Sequence, residues 1–114
     1  MITLKNTTVH LKVLTPALAW IFYKLSLFHE EKMATQPNEL VITSINDSVH
    51  MPGSKHYSNE AIDLRSQNFS NHQEKIMFAM SFQDYLGPKF RVLLENLDTP
   101  NEHFHIQVKK GMSF

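Results

Sequence analysis

Two short stretches of this 114-residue chain carry side chains that bind metals or move protons. The first, Ser54-Lys55-His56-Tyr57-Ser58-Asn59-Glu60-Ala61-Ile62-Asp63, holds a histidine and an aspartate with small and turn-forming residues between them. The second, Glu102-His103-Phe104-His105, adds two imidazoles and a carboxylate. His56, Asp63 and His105 make a ligand set of N and O donors, with one carboxylate, Glu102, to spare. Three protein ligands and an open position for water suit a catalytic zinc. In that arrangement Glu102 takes the proton of the water as general base and returns it to the leaving amine.

The spacing sets conditions on this reading. His56 and Asp63 lie an odd number of residues apart, so on one unbroken strand they point to opposite faces. They share a metal only if the chain turns between them, and Ser58-Asn59-Glu60 is a plausible turn. Asp63 lies in the apolar run Ala61-Ile62-Asp63-Leu64, where an ionised carboxylate is costly unless paired or metal-bound. His103 and His105 fall on one face of a last strand, so His103 rivals His105 as ligand. Glu102 reaches the water only if strand geometry begins after it. His50 is a lesser candidate, and His10, His29 and His72 read as solvated.

Composition limits the alternatives. The length predicts one domain spanning residues 1–114, large enough to bury a core without staples. Eleven basic and eleven acidic residues balance and are scattered, so nothing points to nucleic acid. The absence of cysteine excludes disulfides and thiolate metal sites. Val13 to Phe28 is apolar but contains Pro16 and Lys24, and it is short for a membrane span. It reads as a core helix, with no clear signal peptide and no membrane partner expected.

The elements follow from local signals. Residues 2–14 alternate loosely, as an early strand or an arm. Thr15-Pro16 starts a helix whose Leu18, Ile21, Phe22, Leu25 and Phe28 form a buried face. Trp20, Phe22 and Tyr23 read as core packing. Its end is expected near Lys32 to Thr35. Glu39 to Ile45 reads as a strand, and Ala61 to Leu64 as another. Asn71 with Glu74 three residues on opens a second helix. Ile76, Met77, Ala79, Met80 and Tyr85 are expected as its apolar face, the methionines as core filler, and Gly87-Pro88 stops it. Phe90 to Leu94 and His103 to Val108 are strands around a turn at Asn96 to Asn101. Strands and helices that do not strictly alternate predict an α+β fold with an antiparallel sheet.

The pattern Ser54-x-His56-x-x-Asn59-x-Ala61-x-Asp63 resembles the S-x-H-x-x-G-x-A-x-D signature of zinc D-alanyl-D-alanine carboxypeptidases and dipeptidases. These are peptidoglycan peptidases related in fold to the hedgehog signalling domain. Glu102-His103-Phe104-His105 looks like the family's second motif, an acid three residues before the final histidine. The likeness runs from about Val41 to Val108, and short single-domain members of this kind are carried by phages. It implies a small antiparallel sheet flanked by two main helices, zinc on His56, Asp63 and His105, and Glu102 as base. It also implies a peptidoglycan peptide as substrate, and action at the cell wall by a chain made in the cytoplasm. Two positions depart from the pattern. Asn59 replaces the family glycine, and Asn tolerates the left-handed region that glycine serves. The arginine that many members carry after the preceding strand is missing from Thr43-Ser44-Ile45-Asn46-Asp47-Ser48, with Arg65 and Arg91 as possible substitutes. A non-catalytic zinc-binding module of the same fold is the rival expectation, and it tolerates the missing arginine.

Overall fold

Local chemistry sets the ends of both helices. Helix α1 (Pro16–Lys32) begins where Thr15 Oγ1 accepts the N–H of Leu18 at 3.2 Å, and Pro16 fills the first helical position, where no N–H is needed. Helix α2 (His72–Leu86) begins where Asn71 Oδ1 accepts the N–H of Glu74 at 2.9 Å. It ends at Gly87, whose φ of 109° is open to glycine at little cost. The structure, a computed structural model, describes residues 2–5, 15–32, 39–45 and 60–109.

The five strands are β1 (Ile2–Leu4), β2 (Leu40–Ser44), β3 (Ala61–Arg65), β4 (Phe90–Glu95) and β5 (His103–Val108). They form one sheet in the order β1-β2-β3-β5-β4. The class is α+β, as expected, but the sheet is mixed and not purely antiparallel. β1 and β2 pair in parallel, while the other neighbours are antiparallel. The physical reason is the connection: α1 carries the chain from β1 back to the same end, so β2 must run alongside β1 in the same direction. Between β4 and β5 the chain turns through Asn96 and Asp98, both at positive φ, which short polar side chains tolerate best.

The helices cover one face of the sheet. Leu18, Ile21, Leu25 and Phe28 of α1 pack with Phe78, Phe82 and Leu86 of α2 against Ile62, Leu64, Phe90, Val92, Phe104, Ile106 and Val108. Here the expected apolar face of α2 is corrected. Ile76, Met77 and Met80 are exposed, the two methionines at 57% and 67%, and only Ala79 and Tyr85 of the expected set are half-buried against the core. An aromatic cluster fixes the helix rotation. Phe78 and Phe82 stack at 5.6 Å, Phe28 meets both edge-on, and Phe104 lies 4.8 Å from Phe78. With that i, i+4 stripe inward, Met80 is carried to the outer side. Tyr23 is likewise exposed, whereas Trp20 and Phe22 lie half-buried against the core. Among the described residues no helix is long and apolar enough to cross a membrane.

Candidate functional site

The two-residue period of a strand sorts β5 into two faces. Phe104, Ile106 and Val108 point into the core and are fully buried. His103, His105 and Gln107 point to the opposite face. The register then decides what they meet. Asp63 of β3 lies opposite His105, and Arg65 opposite His103. From β4 on the other side, Leu93 lies opposite His105 and Glu95 opposite His103. One sheet face therefore gathers two carboxylates and two imidazoles over three adjacent strands.

Asp63 and His105, 42 residues apart, meet directly: His105 Nδ1 lies 2.8 Å from Asp63 Oδ1. The other ring nitrogen, Nε2, lies 2.8 Å from Gln107 Oε1. The carboxylate accepts from Nδ1, and the amide oxygen of Gln107 faces Nε2, an arrangement that favours the protonated ring. Burial pushes the His105 pKa down. The hydrogen bond and charge of Asp63, the Gln107 bond and the charge of Glu95 outweigh it and hold the pKa above the ordinary value. The pairing also resolves the cost of an aspartate within an apolar run. His103 continues the chain of contacts. Its Nε2 lies 3.1 Å from Glu95 Oε1 and 3.8 Å from Asp63 Oδ1, and its Nδ1 donates to the Asn101 carbonyl at 2.6 Å.

Glu102 is not brought to this pair. It directly precedes β5, so strand geometry does begin after it, but its side chain turns to the helix-covered side. There Glu102 Oε1 accepts from Ser66 Oγ at 2.6 Å and from Lys75 Nζ of α2 at 2.5 Å, and Oε2 accepts the N–H of Asp98 at 3.0 Å. Burial raises the Glu102 pKa. The Lys75, Ser66 and Asp98 donors, with the Lys75 charge, outweigh it and bring the value down from 4.5 to about 2. This is the signature of a carboxylate locked as an anion. It ties the β4–β5 turn, the end of β3 and α2 together.

The remaining expected residues divide as follows. His56, with Ser54 and Asn59, lies outside the described residues, as does His50. Among the described residues, no group of three or more His, Cys, Asp or Glu stands ready to hold a metal. Arg65 and Arg91 both lie on the His103–His105 face by register. Sequence reasoning missed Glu95 and Gln107. Gln107 had a signal, since it alternates with the two histidines. Glu95 had a weaker one, since it follows directly on the expected strand Phe90 to Leu94 and the structure extends that strand to include it. A cleft of about 560 Å³ lined by Phe28, Ser81, Asp84 and Tyr85 contains none of the expected site residues. No family model, no curated protein and no solved structure matches this chain.

Proposed function

We propose that the chain is a zinc-dependent hydrolase of the hedgehog/DD-peptidase type that cuts peptide bonds in peptidoglycan peptides. One observation carries the reading. Asp63 and His105 come from two separate motif stretches, chosen for ligand chemistry, and they converge to 2.8 Å on one face of the sheet. The donors fit zinc in kind, one carboxylate and one imidazole, both mostly buried. A third ligand is required, and His56 is the residue proposed for it; His103 is the other imidazole near Asp63. Zinc bound there would lower the pKa of a water toward about 7 and polarise the scissile carbonyl.

The chain's own residues supply the rest. Asp63 and His105 would hold the ion after the ring had given up the proton it donates to the carboxylate. Arg65 and Arg91, on strands flanking β5, are placed to meet negative charge on a substrate that approaches this face. The test is hydrolysis of purified peptidoglycan peptides by zinc-loaded protein, followed by detection of a new amine. Cleavage that disappears in His56→Ala supports the reading, and a zinc-loaded chain that cleaves no such peptide overturns it.

A second reading, a non-catalytic zinc module of the same fold, is favoured by one observation. Glu102, the base that the resemblance implies, would have to leave the Ser66, Lys75 and Asp98 donors to act. Bound zinc without turnover distinguishes this reading.

A further inference from the structure

We propose that the outer edge of β4 is a docking strand for a second copy of this chain, and that the side-chain amide of Gln83 holds it shut. β4 ends the sheet, so one side of its backbone has no strand beside it among the described residues. The pairing decides which groups point to that side. Lys109 donates its N–H to the Lys89 carbonyl, and Val108 donates to the Glu60 carbonyl on the β3 side. Odd-numbered residues of β5 therefore bond toward β4. By the register, Arg91, Leu93 and Glu95 bond back to Gln107, His105 and His103. The Phe90 carbonyl and both backbone groups of Val92 and Leu94 are left facing outward. Gln83 of α2 covers two of these groups. Its Oε1 accepts the Val92 N–H at 2.8 Å, and its Nε2 donates to the Phe90 carbonyl at 2.8 Å and to the Gly87 carbonyl at 3.3 Å. One amide thus bonds both groups that flank Arg91, as a peptide unit of a neighbouring strand would. An open edge invites another strand, and this side chain takes that strand's place.

Charge along the edge names the occupant. A two-fold axis at Leu93 sets two β4 strands antiparallel, so the same patch serves both copies. Arg91 then lies opposite Glu95 of the second copy, and Glu95 opposite its Arg91. Opposite charges placed across two strands attract. Arg91 is exposed and the Glu95 side chain is 39% exposed, so both are open to a neighbour. Glu95 would be shared between that arginine and His103 of its own chain, which it meets at 3.1 Å. In this register Val92 exchanges both backbone bonds with Leu94 of the second copy, and the Phe90 carbonyl accepts one pair further out. The Val92 N–H and the Phe90 carbonyl are the two groups on β4 that Gln83 holds. Its amide and a second copy therefore compete for the same bonds.

The experiment measures molecular mass by sedimentation equilibrium over a wide range of protein concentration, with thermal melting alongside. The full chain is compared with Gln83→Met and Gln83→Ala, and with Gln83→Met carrying Arg91→Glu alone or together with Glu95→Arg. Wild type is expected to stay monomeric. Both single variants are expected to fold and to double in mass as concentration rises. Arg91→Glu should raise the dimer Kd by about tenfold or more, and the added Glu95→Arg should restore pairing. Hydrogen exchange tests the lock in wild type without any substitution. The Val92 amide is expected to exchange at least about a hundredfold more slowly than in the unfolded chain. The proposal is overturned if the folded Gln83 variants stay monomeric, or if wild type dimerises as readily as they do. It is equally overturned if the variants grow past the dimer, if the charge swap fails to restore pairing, or if the Val92 amide exchanges as in an unfolded chain.

Discussion

Replacing Glu102 by glutamine separates a structural carboxylate from a catalytic one. The substitution keeps the side-chain shape and removes the charge that Ser66, Lys75 and the Asp98 N–H surround. The magnitude follows from linkage. The folded-state pKa lies near 2, against an ordinary 4.5, and each pH unit is worth about 1.4 kcal/mol, so the anion contributes about 3 kcal/mol at neutral pH. Cutting one partner from a buried ion pair costs a similar amount, about 3–5 kcal/mol, and Lys75 is near enough to water to keep the figure at the lower end. Because the folded pKa is depressed, this stability is fully present above about 4.5. It fades as pH falls toward about 2 and is absent below that. Urea denaturation is therefore expected to show Glu102→Gln less stable than wild type by about 3 kcal/mol at pH 7, a melting drop of about 10 °C. The gap should narrow progressively below about pH 4.5. Equal stability of the two proteins at pH 7, or a gap that does not change with pH, would refute the reasoning and return Glu102 to the pool of catalytic candidates.

Other substitutions test the packing. Phe82→Ala removes a fully buried ring from the aromatic cluster and is expected to cost about 3–5 kcal/mol in denaturation. Met80→Gln, at an exposed position of the same helix, should stay within about 0.5 kcal/mol of wild type. Similar costs at the two sites would mean that the helix face has been assigned wrongly. At Gly87 an added Cβ meets no atom within 4 Å, so any cost of Gly87→Ala comes from the backbone at positive φ. A melting-point loss equivalent to about 1 kcal/mol is expected, and an unchanged or raised melting temperature would contradict the strain.

Much of the framework was legible because it is local. Thr15, Asn71 and Gly87 act within one helical turn, so their roles can be read from the residues beside them. The alternation of His103, His105 and Gln107 with Phe104, Ile106 and Val108 shows the two faces of β5 without tertiary information. Asp63 was legible for a different reason, since a carboxylate in an apolar run must find a partner. The parts that were not legible depend on distant segments. The rotation of α2 is set by rings from Phe28 and Phe104, and no pattern within the helix reveals that choice over the Ile76, Met77 and Met80 side. The parallel pairing of β1 depends on where α1 returns the chain. Glu102 met the local condition set for it, preceding the strand, yet the donors of Lys75 and Ser66, 27 and 36 residues away, drew it to the other side. Glu95 was hidden for another reason: its position on the site face is fixed by the register of β4 on β5 and not by any motif.

The central claim is that Asp63 and His105 are two ligands of one zinc ion. The most direct measurement is elemental analysis of the purified protein after zinc loading and dialysis, with Asp63→Ala and His105→Ala treated alongside. The account predicts about one zinc per wild-type chain and its loss from both variants while they remain folded. A wild-type chain that retains no zinc, or variants that retain it in full, would contradict the account.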